Sequence, residues 1–298
     1  IAHTTLNDIA VIMYVSMCGA CCVFSVEPEN VEKFPQIQKQ NGRKAKKIIV
    51  KDSKEGWCEA FVSACKAWST GKDVEIDYSK IRPSGSRLIT MGGRAAGHEP
   101  LQELMKFTKR KILARQGRRL TTLDMHDIIC QIGLIVVAGG VRRSALISLS
   151  ALDDSDLRDA KKGAFWQTEG QRSMANNSAV YEIKPTATEF LEEWNSLANS
   201  GSGERGIFNR AGLEKQLPAR RWEKLKKEKQ PGMNPCGEIY LKSKQFCNLT
   251  SIVIRPDDTE TSLKKKMRLA TILGTYQASL TDFNYISNDW KKNCDEEA

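Results

Sequence analysis

The chain has 298 residues, 40% of them hydrophobic and 28% charged, and its 46 Lys and Arg exceed its 36 Asp and Glu to give a net charge of +10. This is enough for one large globular domain or two ordinary ones with a real core, and it excludes a transmembrane helix, because no apolar run approaches the ~18 residues a span requires. The positive balance points to polyanionic partners, but the aromatics, at 7%, do not interleave with the basic runs as a nucleic-acid stacking platform needs.

The opening Ile1-Ala2-His3-Thr4 has neither a basic flank nor a long apolar core, so no signal peptide is expected here. Without an initiator Met, and with Asp295-Glu296-Glu297-Ala298 at the other end, the chain reads as an internal piece of something longer. Nine cysteines, an odd number without a small-domain framework, argue against a secreted disulfide scaffold and make a reducing cytoplasm the default. Cys18-x-x-Cys21 has no second pair at finger spacing, and His3, His98 and His126 are dispersed, so no metal site is expected.

Residues 6–17 fit a buried apolar helix that runs into a short strand within 19–26. The segment 28–43 is polar and loop-like, and 48–50 is a short strand. Over 54–69, Trp57, Phe61, Ala64, Cys65 and Trp68 recur at three- and four-residue steps, which predicts an amphipathic helix ended by Gly71. Cys58 and Cys65 on it fit packing better than chemistry. Residues 74–78 alternate as a strand, and 100–114 form a helix with a basic outer face.

Thr121-Thr122-Leu123-Asp124 opens the next helix, with Thr or Asp as its cap. Ile128, Ile129, Ile132 and Val136 along it predict deep burial, and His126 and Cys130, four apart, read as core residues before a metal pair. A Gly-rich turn and a strand over 145–150 follow. Helix, Gly-rich turn, strand is the order of an α/β protein. Residues 153–162 look exposed and charged, 176–181 a strand, and 186–199 a helix with Phe190, Leu191, Trp194 and Leu197 inward. A short strand or turn over 206–210, a basic connector over 217–231, a strand over 251–254 and a long amphipathic helix over 262–280 complete the pass.

Two loops combine glycine with arginine: 81–97, with Arg82, Arg87 and Arg94 among Gly85, Gly92, Gly93 and Gly97, and 139–144, with Gly139, Gly140, Arg142, Arg143 and Ser144. Glycine-rich backbone offers N–H groups to an anion, and arginine offers planar paired donors. As a bare pattern either loop reads equally as a flexible connection.

The densest chemistry lies in Asn234-Pro235-Cys236-Gly237-Glu238, followed by Phe246-Cys247-Asn248-Leu249. Pro and Gly around Cys236 predict a tight turn, which brings Asn234, Cys236 and Glu238 together at a loop tip. In isolation, an arbitrary C-x10-C pair favours a turn with two buried structural cysteines.

The ordered strings Ile81-Arg82-Pro83-x-Gly85-x-Arg87, Met91-Gly92-Gly93-Arg94-Ala95, Gly139 to Ser150, Ala175 to Tyr181, Gly203 to Arg210 and the Asn-Pro-Cys-Gly-Glu loop together resemble the adenosylcobalamin-dependent (class II) ribonucleotide reductases. Within that family they look closest to the monomeric ribonucleoside-triphosphate reductases, from about Met17 to Cys294. The resemblance implies an α/β fold, part of a ten-stranded α/β barrel comprising its first half and the finger loop. It implies an N-terminal segment, 1–80, with effector-side helices, and a partial barrel with the finger loop, 81–298. It implies the cofactor adenosylcobalamin, whose Co–C homolysis supplies a radical, with most of the cofactor surface outside this chain. It also implies a ribonucleotide substrate, a deoxynucleotide effector and a thioredoxin-type reductant.

By the same resemblance Cys236 carries the thiyl radical, Glu238 is the general base on the 3′-hydroxyl, Asn234 binds the sugar hydroxyls, and Cys247 is one of two reducing thiols. Arg87, Gly92, Gly93 and Arg94 with Gly139, Gly140, Arg142, Arg143 and Ser144 become the effector loops. The sequence departs from the family at the partner of Cys247, which normally sits in an Asn-Cys context upstream of Met17. None is present, so that partner is expected before Ile1. Cys21 and Cys22 occupy positions where relatives have glycine and valine, and they receive no redox role. The chain alone is expected not to turn over. A basic nucleic-acid-binding module and a non-catalytic remnant remain the alternatives.

Overall fold

A computed structural model describes residues 5–89, 92–138, 145–283 and 285–297. Eleven helices and eight strands alternate along the described chain. The helices are α1 (Leu6–Met17), α2 (Pro28–Val31), α3 (Lys54–Ser69), α4 (Glu99–Leu113), α5 (Thr122–Ala138), α6 (Ser155–Asp159), α7 (Ala187–Asn199), α8 (Leu213–Gln216), α9 (Ala219–Leu225), α10 (Glu260–Ala278) and α11 (Asn288–Glu297). The strands are β1 (Cys22–Ser25), β2 (Ile48–Ile49), β3 (Ile76–Asp77), β4 (Leu146–Ala151), β5 (Ala175–Val180), β6 (Gly206–Phe208), β7 (Gly232–Met233) and β8 (Tyr240–Leu241).

The centre is a four-stranded, all-parallel sheet in the order β1-β4-β5-β6, with Phe24 opposite Ser148, Ser148 opposite Asn177 and Ser178 opposite Gly206. Parallel strands need covering on both faces, and alternating side chains provide for that. Cys22, Phe24, Leu146 and Ala175 turn to one face, where α1, α3, α4 and α5 bury Met13, Phe61, Trp68, Leu104 and Ile129. Val23, Ile147, Leu149, Val180 and Phe208 turn to the other, against Leu213 of α8, Leu225 of α9 and Met233 of β7. The antiparallel pair β7–β8 is therefore held on the face opposite the large helices.

Local signals set the helix ends. The Ser53 hydroxyl accepts from Gly56 N at 3.0 Å and opens α3, and Gly71, at φ +74°, lets the chain reverse after it. Thr121 and Asp124 bond reciprocally at 3.1 Å to start α5. His126 is fully buried, 2.9 Å from Asn177 Oδ1 and 3.7 Å from Cys130 Sγ, which makes the pair core. Among the described residues no cluster could hold a metal, and no helix is long and apolar enough to cross a membrane.

Asp127 on α5 is completely buried and takes Lys111 Nζ at 2.7 Å and Arg172 Nε at 2.7 Å. Burial raises its carboxyl pKa, but His126, Arg172 and Lys111 outweigh that and hold it well below the ordinary carboxylate range. A depressed folded pKa contributes stability that is fully present above the unfolded value, about 4, and is lost as pH falls below it. Asp127→Asn is expected to lower stability at pH 7 and to flatten its decline between about pH 5 and 2, measured by urea unfolding across that range.

Three expectations are corrected. The apolar side of α7 does not face inward: Phe190, Leu191 and Trp194 are exposed, while Glu193 is buried because it holds the Arg205 guanidinium at 2.9 Å. Residues 251–254 form no strand and are largely exposed. The charged stretch before β5 is not wholly solvated, since Lys161 is buried and donates to Glu204 at 2.7 Å and to the Ala175 carbonyl.

Candidate active site

The chain enters β7 through a buried polar anchor. Arg210 donates to both oxygens of Glu27, at 2.9 and 3.0 Å, and to the Pro231 carbonyl at 3.0 Å. Ser25 at the end of β1 donates to Glu27 at 2.7 Å, and Asn30 donates to Ser25 at 2.8 Å. The ends of β1 and β6 and the approach to β7 are thus one network. On the far side, Arg221 of α9 reaches the Tyr240 carbonyl at 2.7 Å and Gln245 Oε1 at 3.3 Å.

Between β7 and β8 the chain makes the tight turn that Pro235 and Gly237 predict, with Gly237 at φ +84°. Asn234 organises it. Its Oδ1 accepts from Gly237 N and Ile239 N, both at 3.1 Å, and its Nδ2 donates to Glu238 Oε1. Asn234 is buried, whereas Cys236 and Glu238 are exposed at the tip. The Asn234 side chain fixes where the carboxylate stands, a role that adds to the sugar binding expected from sequence.

Asn234, Cys236, Glu238 and Cys247 all border one recess of about 640 Å³. The 18–23 segment leading into β1 also borders it, as do Gln277 and Ala278 at the end of α10 and Trp290 and Cys294 of α11. Phe246 packs on Trp290 and Phe283, with ring centroids 4.5 and 5.2 Å apart, and so holds Cys247 against α11. Burial first, then the charges of Glu238, Cys21 and Cys236, push the Cys247 thiol pKa up. Sequence reasoning passed over Gln245 and Arg221, which brace the turn; Cys21, which it named and gave no redox role, also borders the recess.

The first Gly/Arg loop lies elsewhere. Arg87 and Arg94 pair across a narrow hairpin, with Leu88 N donating to Gly93 O at 3.0 Å and Arg94 Nη1 to Gly85 O at 3.0 Å. Gly92 and Gly93 take left-handed φ of +72° and +81° near its tip. The hairpin flanks a separate recess of about 390 Å³ bordered by Ser53, Lys54, Trp57, Arg82, Leu88 and Gly97. Gly139, Gly140, Arg142, Arg143 and Ser144 lie outside the described residues.

The fold is that of a B12-dependent (class II) ribonucleotide reductase: a crystal structure of such an enzyme superposes with TM-score 0.62 over 82% of this chain and 38% of its own, at 23% identity. In sequence, the chain is homologous to adenosylcobalamin-dependent ribonucleoside-triphosphate reductases. It is 34% identical over 220 residues to that of Lacticaseibacillus paracasei, 32% over 225 to that of Lactobacillus leichmannii and 30% over 220 to that of Euglena gracilis. These alignments cover 71%, 67% and 72% of this chain but only 28%, 28% and 29% of the relatives, so the chain spans under a third of their length. No protein-family model matches it.

The relatives are named for adenosylcobalamin, and the described residues can be tested against that group. The recess has the volume of a site for a nucleoside-sized ligand. Cobalamin brings its own benzimidazole base, so no protein ligand to cobalt is required and the test is one of size: a recess of about 640 Å³ is smaller than a corrin with its nucleotide tail. The recess fits a nucleotide sugar and a thiol; it does not by itself fit a corrin.

Proposed function

We propose that the protein reduces ribonucleotides, the triphosphates of its relatives' name, to 2′-deoxyribonucleotides as an adenosylcobalamin-dependent oxidoreductase, with the corrin seated outside the described recess. The observation that carries this reading is the joint bordering of one recess by Cys236, Glu238 and Cys247, with Asn234 bonded to Glu238. In its thiyl form, Cys236 takes the 3′ hydrogen of the ribose. Glu238, exposed at the tip, accepts the 3′-hydroxyl proton. Loss of the 2′-hydroxyl as water follows, and two thiols, one of them Cys247, supply the electrons.

In this reading the parallel sheet is part of the first half of a ten-stranded barrel, with β7–β8 as its finger loop. The hairpin around Arg87, Gly92, Gly93 and Arg94, with the recess beside Lys54 and Arg82, receives the deoxynucleotide effector. A thioredoxin-type protein returns the electrons. Nine cysteines without a small-domain disulfide framework fit a reducing compartment such as the cytoplasm.

Substrate binding is testable without turnover. Ribonucleoside triphosphate is expected to slow the alkylation of exposed Cys236 by iodoacetamide in proportion to occupancy, while inorganic triphosphate does not. Equal rates at saturating nucleotide would remove the substrate assignment. Slowing by DNA instead, weakening steeply with salt, would favour a nucleic-acid-binding module.

A further inference from the structure

The end of α1 borders both recesses: Ser16 and Met17 the smaller, Val15 and Cys18 the larger. α1 and α3 pack together in the core. That packing brings the C-cap of one helix, Cys18, to the first residue of the other, Lys54. Cys18 is exposed, and Lys54 Nζ lies 3.2 Å from its sulfur. The same nitrogen stands over the Tyr14 ring, 5.5 Å from the centroid, and Tyr14 packs on Tyr285 at 4.4 Å. Two contacts thus place the lysine head, on a helix start fixed by the Ser53 cap. Burial first, then Cys18 and Glu55, push the Tyr14 hydroxyl pKa up to about 12. Tyr14 therefore stays neutral at pH 7 and leaves the thiol and the amine as the reactive pair. Ribonucleotide reduction by Cys236, Glu238 and Cys247 uses neither group.

We propose that Cys18 and Lys54 form a covalent redox switch, in which hydrogen peroxide oxidises the thiol and the lysine captures the product as a sulfenamide. In the first step the peroxide O–O bond breaks and an S–O bond forms, giving the Cys18 sulfenic acid and one water. Lys54 Nζ, its extra proton given to solvent, then attacks the sulfur. An N–S bond forms, the S–O bond breaks and a second water leaves. In sum, thiol, amine and peroxide give sulfenamide and two waters. Two molecules of a small thiol reverse the bond, restoring Cys18 and Lys54 and leaving as their own disulfide. Exposure admits peroxide to the sulfur, and an amine already within 3.2 Å makes the capture intramolecular.

The bond fastens the end of α1 to the start of α3 and acts on both recesses at once. It removes the Lys54 charge from the smaller recess, which Arg82 also borders, and a free thiol from the larger. The reductase reading enters only in naming the anion of the smaller recess, a deoxynucleotide effector; the bond itself does not rest on it.

The test treats the reduced 298-residue chain with hydrogen peroxide, alkylates the remaining thiols with N-ethylmaleimide and maps the tryptic digest by mass spectrometry. The expected product is a Cys18–Lys54 peptide pair two hydrogens lighter than its parts, with no cleavage after Lys54, and dithiothreitol restores both residues. The missing cleavage distinguishes it from a disulfide to Cys58 or Cys65 of α3. Lys54→Arg keeps the charge but not the nucleophile. In that variant dimedone is expected to label the Cys18 sulfenic acid that escapes it in the wild type, with circular dichroism unchanged. A Cys18–Cys21 disulfide as the first product, or equal dimedone labelling of Cys18 in both chains, would overturn the switch. The cross-linked chain is expected to bind 2′-deoxyadenosine triphosphate at least about tenfold more weakly than the reduced chain, as for one lost charge-assisted contact. Measurable binding that is equal in the two forms would overturn the coupling to that recess. If the cross-link forms and neither form binds this nucleotide, the switch stands and the effector reading fails. If the reduced chain binds it and trypsin still cleaves after Lys54 in the peroxide-treated chain, the effector reading stands and the switch fails.

Discussion

Cys236→Ala is expected to take ribonucleotide reduction to background in the full-length product of the reading frame, assayed with adenosylcobalamin and a dithiol reductant. The side chain is exposed at the tip of the β7–β8 turn, so its loss opens no cavity, and unfolding curves of variant and wild type should superimpose. Cys247, which borders the same recess, is half-buried with a raised pKa and is a poor substitute. Glu238→Gln keeps the shape and the Asn234 contact but cannot accept a proton. A loss of roughly 10²- to 10⁴-fold in kcat is expected, as for other general bases, with KM little changed. Retained activity in Cys236→Ala would end the assignment of the radical to this thiol.

Arg210→Ala is expected to have the largest effect on stability, about 3–5 kcal/mol by urea unfolding, because it strands the buried Glu27 carboxylate without its partner. Both side chains are 5% exposed, and Ser25, Asn30 and the Pro231 carbonyl are tied to the same pair. Glu27→Gln with Arg210→Met, which removes both charges, should recover much of the loss. If the single variant costs under about 1 kcal/mol, the value of an exposed pair, the network does not hold the strand ends together.

Much of this architecture is legible in the residues. The three- and four-residue spacing of Trp57, Phe61, Ala64, Cys65 and Trp68 gives α3 its observed bounds, because one apolar stripe meets the core and Ser53 and Gly71 punctuate it. Pro235 and Gly237 give the turn. The α7 stripe misleads for a physical reason: Phe190 and Trp194 stack on each other at 6.0 Å in solvent, while the buried position goes to Glu193, drawn in by Arg205. The apolar run 251–254 has strand-like residues but no neighbouring strand to pair with among the described residues, and pairing is a long-range property that local composition does not carry. Of the candidate site, Asn234, Cys236, Glu238 and Cys247 are found together in one recess, and Arg87 and Arg94 in a hairpin beside another. Gln245 and Arg221 were not legible as site residues because their bracing of the turn is a contact between segments that local composition does not carry.

The helix α10 has a 19-residue length and no buried residue. Met267, Leu269, Leu273 and Tyr276 are all more than half exposed. Its local supports are the Thr259–Ser262 capping box, the Lys264–Glu260 pair and the Lys266–Asp258 pair. A helix held mainly by such terms, with a light contact from Thr250 and Val253, is marginal in water, whereas α5 is buried along most of its length. In deuterium, the α10 amides should exchange at least about a thousandfold faster than those of α5, whose opening requires global unfolding. The chain therefore carries an internal timer of two rates, and any binding event that covers α10 would register first as a slowing of the faster one.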